Sequence, residues 1–183
     1  MPATWTLRHL GAVVFATLAA VEAGAREPSV PLSQLQPARF VGVIALPDGD
    51  GAAVALRVGQ GEAERIVPIF VGMVEAAAIA RAEQGIEPPR PLTHELLTDV
   101  LVATGANLLR VVIDDLRDGV FHATLEFSVG NRPGSVWVDA RPSDGLALAV
   151  GRAVPILLGP RVIEAAIDPQ APVAPVPPPG MMI

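Results

Sequence analysis

Apolar residues fall along this chain in short runs separated by turn formers, and their spacing predicts strands interleaved with a few helices. Residues 40–46, 53–58 and 65–70 have strand length, and Pro47-Asp48-Gly49-Asp50-Gly51 between the first two is hairpin punctuation. Residues 73–84 carry Ala at 76, 77, 78, 80 and 82 with no breaker, and Gly85 stands where a helix C-cap belongs. Thr93 opens a second helix as its N-cap. Leu96, Leu97, Val100 and Leu101 recur there as one stripe expected to be buried, and Gly105 ends the helix. Residues 108–116 and 120–129 form two strands joined through the turn pair Asp118-Gly119. In the second, Phe121, Ala123, Leu125 and Phe127 alternate with His122, Thr124, Glu126 and Ser128, which sends one face to the core and the other to water or a ligand. A strand over 136–139 follows, then Ser143 as the N-cap of an apolar helix over 144–153, a short strand over 155–158 and a last helix over 160–167. Strand pairs in direct succession favour an α+β class: a mixed, largely antiparallel sheet packed with three to four helices in a single compact domain.

The ends read differently from this middle, which spans 39–168. Residues 1–25 contain Arg8, an apolar run over 10–21 and Ala23-Gly24-Ala25, the pattern of a secretory signal cleaved before Arg26. The uncharged stretch between Arg8 and Glu22 is 13 residues, short of the roughly 20 that a membrane-crossing helix needs. Export to the periplasm or beyond is therefore expected, with no stable membrane span after cleavage. Residues 26–38, with Pro28, Pro31 and Pro37, read as an extended linker, and 169–183 as a proline-rich disordered tail.

Composition excludes much chemistry. The chain has 183 residues, a net charge of -6 and no Cys, Lys or Tyr. That removes disulfides, thiolate metal sites, cysteine nucleophiles, Walker phosphate loops and Schiff-base lysines. An acidic chain also gains little from the counterion release that drives nonspecific nucleic-acid binding. No His-Glu-x-x-His or Gly-x-Ser-x-Gly pattern is present.

Three polar clusters remain. Asp114-Asp115-Leu116-Arg117-Asp118-Gly119 places carboxylates at a strand end, where they can hold Mg²⁺ or form an ordinary turn. Asp139-Ala140-Arg141-Pro142-Ser143-Asp144 lies at a strand-to-helix junction. Its helix amides and Arg141 can clamp an anion, or Ser143 caps and Arg141 pairs with Asp139. Arg90-Pro91-Leu92-Thr93-His94-Glu95 offers His94 and Glu95 as acid, base or metal ligands, or as a solvated helix face with Asp99 one turn on.

Taken in order, these clusters resemble the bifunctional nuclease domain family. The matching blocks are Val67-Pro68-Ile69-Phe70-Val71-Gly72 with Glu75-Ala76; Pro89-Arg90-Pro91-Leu92-Thr93-His94-Glu95-Leu96-Leu97; Asp115-Leu116-Arg117-Asp118-Gly119-Val120-Phe121; and Asp139-Ala140-Arg141-Pro142-Ser143-Asp144. The resemblance covers about residues 40–167 and implies a compact α+β domain, often oligomeric, with combined DNase and RNase activity. This chain departs from the family pattern at His122, where an aromatic is common, and at Gly145, where Ala is common.

Two functions follow. In the first, an exported nuclease hydrolyses phosphodiester bonds of DNA and RNA with Mg²⁺ or Mn²⁺ and no organic cofactor. Asp115, Asp118, Asp139 and Asp144 are the expected metal ligands, and Glu75, Arg90, His94 and Arg141 the expected catalytic groups. In the second, a noncatalytic periplasmic module binds a small anion or a protein partner at the same arginine-lined junction; the acidic charge and few aromatics favour it. A homo-oligomer is expected in either case.

Overall fold

The structure is a computed structural model and describes residues 25–167 except Asp48 and Arg132. The expected signal segment up to residue 24 and the tail over 169–183 lie outside the described residues. The strands are β1 (Gln36–Ala45), β2 (Ala52–Val58), β3 (Arg65–Val71), β4 (Ala106–Arg117), β5 (Val120–Val129), β6 (Val136–Ala140) and β7 (Ile156–Leu158). The helices are α1 (Met73–Gln84), α2 (Thr93–Ala103), α3 (Pro142–Ala149) and the single turn α4 (Pro160–Ile163). All seven strands form one sheet in the order β3-β2-β1-β7-β4-β5-β6. Every pairing is antiparallel except β4 with β7. The α+β class read from the sequence therefore holds.

Local chemistry explains the turns. Asp118 and Gly119 both take positive φ, 51° and 76°, the requirement of a tight two-residue hairpin whose twist matches its strands. Gly85 ends α1 in the left-handed conformation at φ 63°. The three-residue β7 joins the two antiparallel halves, pairing with β1 at Gln36↔Leu158 and with β4 at Ile113↔Leu158.

The core lies between the sheet and helices α1 and α3. Val54, Leu56, Val67, Ile69, Ile79, Val111, Ile113, Leu125, Leu146 and Leu148 are buried in it. In α3 every residue is buried except Asp144. Gly145 makes this approach feasible, because a Cβ there would lie 2.8 Å from Val111 Cγ1 and 3.0 Å from Leu125 Cδ2.

Several expectations need correction. No residue of α2 is buried, and Leu96, Leu97 and Val100 remain exposed while Leu101 alone of that stripe packs on the core. A helix on a domain's periphery can hold its place by one seam and leave the rest of its apolar stripe uncovered. Its N-cap is Leu92 rather than Thr93, with Glu95 Oε2 accepting the Leu92 N–H at 3.1 Å. Helix α3 starts at Pro142 behind Arg141, so Ser143 sits inside the first turn and does not cap it. The last helix is one turn long, and Ile167 instead bridges to Ile66.

The proline-containing segment after residue 25 packs against the sheet. Its last part, from Gln36, already belongs to β1. Arg26 reaches the wholly buried Asp114 carboxylate with Nη2 at 2.9 Å and Nη1 at 3.0 and 3.2 Å, and Ser29 N–H donates to the same carboxylate at 2.6 Å. Residues 27–32 line a shallow pocket with Trp137 of β6. Thr124 and Glu126 of β5 are buried although alternation pointed them outward, and Glu126 pairs there with Arg110.

Candidate active site

Three helices begin at one place in the fold. Glu75 is the third residue of α1, His94 the second of α2 and Asp144 the third of α3, so three first turns deliver the polar side chains of three distant sequence blocks. A helix N-terminus carries roughly half a positive charge, which stabilises carboxylates there.

Arg141 ties the helices together. Its Nε and Nη2 donate to Asp144 Oδ2 and Oδ1 at 2.9 and 3.1 Å, and its Nη1 donates to Glu75 Oε1 at 3.1 Å. His94 Nε2 lies 3.2 Å from Asp144 Oδ1. Burial pushes the Asp144 carboxyl up, but hydrogen bonds and charge from Arg141 and His94 more than offset this and hold it below the usual carboxylate range. An ionised carboxylate only accepts, so the proton of this His94 contact resides on Nε2. The Asp144 hydrogen bond, with the charges of Asp144 and Glu75, raises the Arg141 pKa above its ordinary value, and the guanidinium is a cation throughout.

Beside this cluster opens a cleft of about 310 Å³. One wall is the end of β3 and the start of α1, residues 69–72 with Glu75; a second is the β4–β5 hairpin at Gly119, Val120 and Phe121; the third is Arg141, Pro142 and Ser143. Glu75 folds back over its own helix start, and a Cβ on Gly72 would meet Glu75 Oε2 at 2.7 Å. No side chain of the N-cap residue caps α1 or α3; this leaves the first-turn amides of α1 and the Ser143 N–H of α3 for water or a ligand, since Pro142 has no N–H and the Asp144 N–H donates to Arg141 O at 3.1 Å. The lining therefore combines a cation and helix amides, which hold an oxyanion, with a carboxylate that accepts a proton.

The structure brings together Glu75, His94, Arg141 and Asp144 from the expected set and disperses the others. Asp118 sits on the hairpin turn, next to the cleft-lining Gly119. Arg90 lies in the exposed loop before α2, outside the cleft lining. Asp115 is held by Arg117 Nε at 2.9 Å and Arg161 Nη1 at 3.0 Å. Asp139 pairs with Arg26 Nε at 3.2 Å and not with Arg141. The set expected to hold Mg²⁺ or Mn²⁺ thus does not converge: Asp115 pairs with Arg117 and Arg161, Asp139 with Arg26, and Asp144 with Arg141. Among the described residues no three His, Asp or Glu side chains are grouped to hold a metal ion. A divalent ion between Glu75 and Asp144 would have to expel Arg141 from both, so these residues as paired do not fit one.

The sequence points to the helix amides behind Arg141, where Ser143 now lines the cleft, but it misses Gly72 as a second helix-start position and Phe121 as an apolar wall. The available signal was the lack of a capping residue at Gly72 and Arg141, which leaves helix amides unclaimed.

Comparison with known proteins agrees with the clustering. The bifunctional nuclease domain matches residues 54–170, a span containing all four blocks that meet at or beside the cleft. An uncharacterized protein found in two strains of Mycobacterium tuberculosis, CDC 1551 / Oshkosh and ATCC 25618, is 41% identical over 128 residues, covering 70% of this chain and 74% of the relative. By the extent of the domain match, the chain belongs to the bifunctional nuclease domain family.

Proposed function

We propose that the cleft binds a phosphodiester of DNA or RNA and hydrolyses it. The observation that carries this reading is the convergence of Glu75, Arg141 and two uncapped helix starts on one cleft, in a member of a nuclease-labelled family. Arg141 and the free amides hold the phosphoryl oxygens and stabilise the charge that develops on them. The incoming phosphate competes with Glu75 for Nη1, and the released carboxylate takes the proton of the attacking water. Water oxygen bonds to phosphorus, the ester bond breaks, and the leaving oxygen is protonated from solvent. Asp144 fixes Arg141 from the other side, and His94 holds Asp144; these two position rather than touch substrate. No step runs through a divalent ion.

The test is cleavage of labelled single- and double-stranded DNA and RNA, with Mg²⁺, Mn²⁺ or EDTA. Glu75→Gln and Arg141→Ala should each lower the rate by about 10²-fold or more while circular dichroism stays unchanged. A wild-type protein inert under all conditions refutes hydrolysis. The net charge of -6 favours one second reading, a noncatalytic anion-binding module. It predicts phosphate binding lost in Arg141→Ala with no cleavage.

The uncovered stripe of α2 supports a homo-oligomer, because Leu92, Leu96, Leu97 and Val100 form an exposed apolar row beside the site. The leader pattern of residues 1–25 supports export, and N-terminal sequencing of the secreted chain should then find Arg26 first.

A further inference from the structure

We propose that the substrate enters as one nucleotide of a single strand or strand end, never as a duplex. This rests on the phosphodiester reading above and narrows it. The first reason is size: about 310 Å³ is at the low end of the roughly 300–1,000 Å³ typical of small-molecule sites. Such a cleft takes a base and one phosphate, whereas a duplex presents its phosphates on a broad, rigid surface.

The second reason is charge. Arg141 is the single cation in the cleft lining, and Glu75 and Asp144 flank it. Phosphates on either side of the bound one are repelled, so the strand must bend away from the site. A flexible single strand does this, and a duplex does not. Nor do most of the other described arginines stand free as a track for a backbone: Arg26, Arg57, Arg110, Arg117 and Arg161 each pair with a carboxylate, and Arg65 and Arg152 donate to backbone carbonyls.

The third reason is the apolar part of the lining. Phe70, Val120 and Phe121 stand beside the helix starts, so the cleft divides between apolar surface and oxyanion donors. That division matches an unstacked base joined to its phosphate, with Phe121 offering an aromatic surface that accepts any base.

The experiment is fluorescence polarisation with labelled single-stranded oligonucleotides, the same sequences as hairpin duplexes, and an unlabelled mononucleotide as competitor, over a salt series. Cleavage of each probe is followed in parallel. Single strands should bind at least about tenfold tighter than duplexes, and the slope of log affinity against log salt should be about -0.7, the value for one neutralised phosphate. Phe121→Leu, which stays apolar but removes the ring, should weaken binding by about 5- to 100-fold in a variant whose circular dichroism and cooperative unfolding are retained. Competition by the mononucleotide places recognition in a single unit. A duplex bound as tightly as a single strand, a slope of about -4 or steeper, or no binding of any probe overturns the proposal. Single-strand binding without cleavage leaves it standing and removes the hydrolysis reading; equal cleavage of duplex and single strand does the reverse.

Discussion

Replacing Arg26 tests how this fold tolerates a buried acid. The Asp114 side chain has no exposure, and its partners in the structure are the Arg26 guanidinium at 2.9 to 3.2 Å and the Ser29 N–H at 2.6 Å. Arg26→Ala removes the counter-charge and leaves a carboxylate sealed in the protein with one amide donor. Breaking a buried pair from one side costs about 3–5 kcal/mol, since the remaining charge is uncompensated. Arg26 is itself 22% exposed, so water partly replaces it, and the lower end, about 3 kcal/mol, is expected. At about 2–4 °C per kcal/mol for a chain of this size, the melting temperature should fall by about 6–12 °C. Urea unfolding should show a lower midpoint with an unchanged slope. Adding Asp114→Asn to Arg26→Ala should recover much of the loss, giving a coupling energy of about 2 kcal/mol in the double-mutant cycle. A loss below about 1 kcal/mol, or additive single mutants, would refute the reasoning and demote the pair to a surface contact.

Asp139→Asn should change stability by under about 1 kcal/mol and leave cleavage intact, as its carboxylate is half exposed and contacts Arg26 outside the cleft; loss of cleavage in the folded variant would return it to the site. Asp144 has a folded-state pKa below its unfolded one, so it stabilises the fold above the unfolded value and loses that contribution as pH falls through the folded value. The stability gap between wild type and Asp144→Asn should therefore be present at neutral pH and close well below about pH 3.9, as read by urea unfolding at each pH. Gly145→Ala should lower the melting temperature by about 2–4 °C, because overpacking against Val111 and Leu125 outweighs a helix-propensity gain of about 1 kcal/mol. Leu96→Asp with Val100→Asp should convert the assembly to monomers in light scattering without melting it; a wild type already monomeric refutes the oligomer.

The sequence made the elements legible wherever one local rule dominated. Asp118-Gly119 had to turn, Gly85 had to end α1, and the apolar runs had to pair, so the α+β architecture followed from local chemistry. The site was half legible for a related reason. Residue types suited to phosphate chemistry clustered at strand and helix ends, and three of those ends do meet. What spacing alone cannot supply is which carboxylate meets which arginine. Asp139 and Asp144 are five positions apart, yet one turns to Arg26 on the outer face of the sheet and the other to Arg141 at the cleft. Alternation along β6 and the start of α3 between them decide this, and neither is visible without the pairing of β6 to β5. Asp114 and Asp115 show the same limit, because the register shift in β4 between Ile113 and Asp115 lets adjacent acids both be buried against different arginines. An acidic cluster read as a metal site thus becomes a set of separate ion pairs. Glu75, distant in sequence from both, is the carboxylate that Arg141 brings to the cleft. On the proposed reading, chemistry at this site depends on the exchange of one arginine between an internal carboxylate and an incoming phosphate, and the strength of the Arg141 to Glu75 contact sets how readily substrate displaces it.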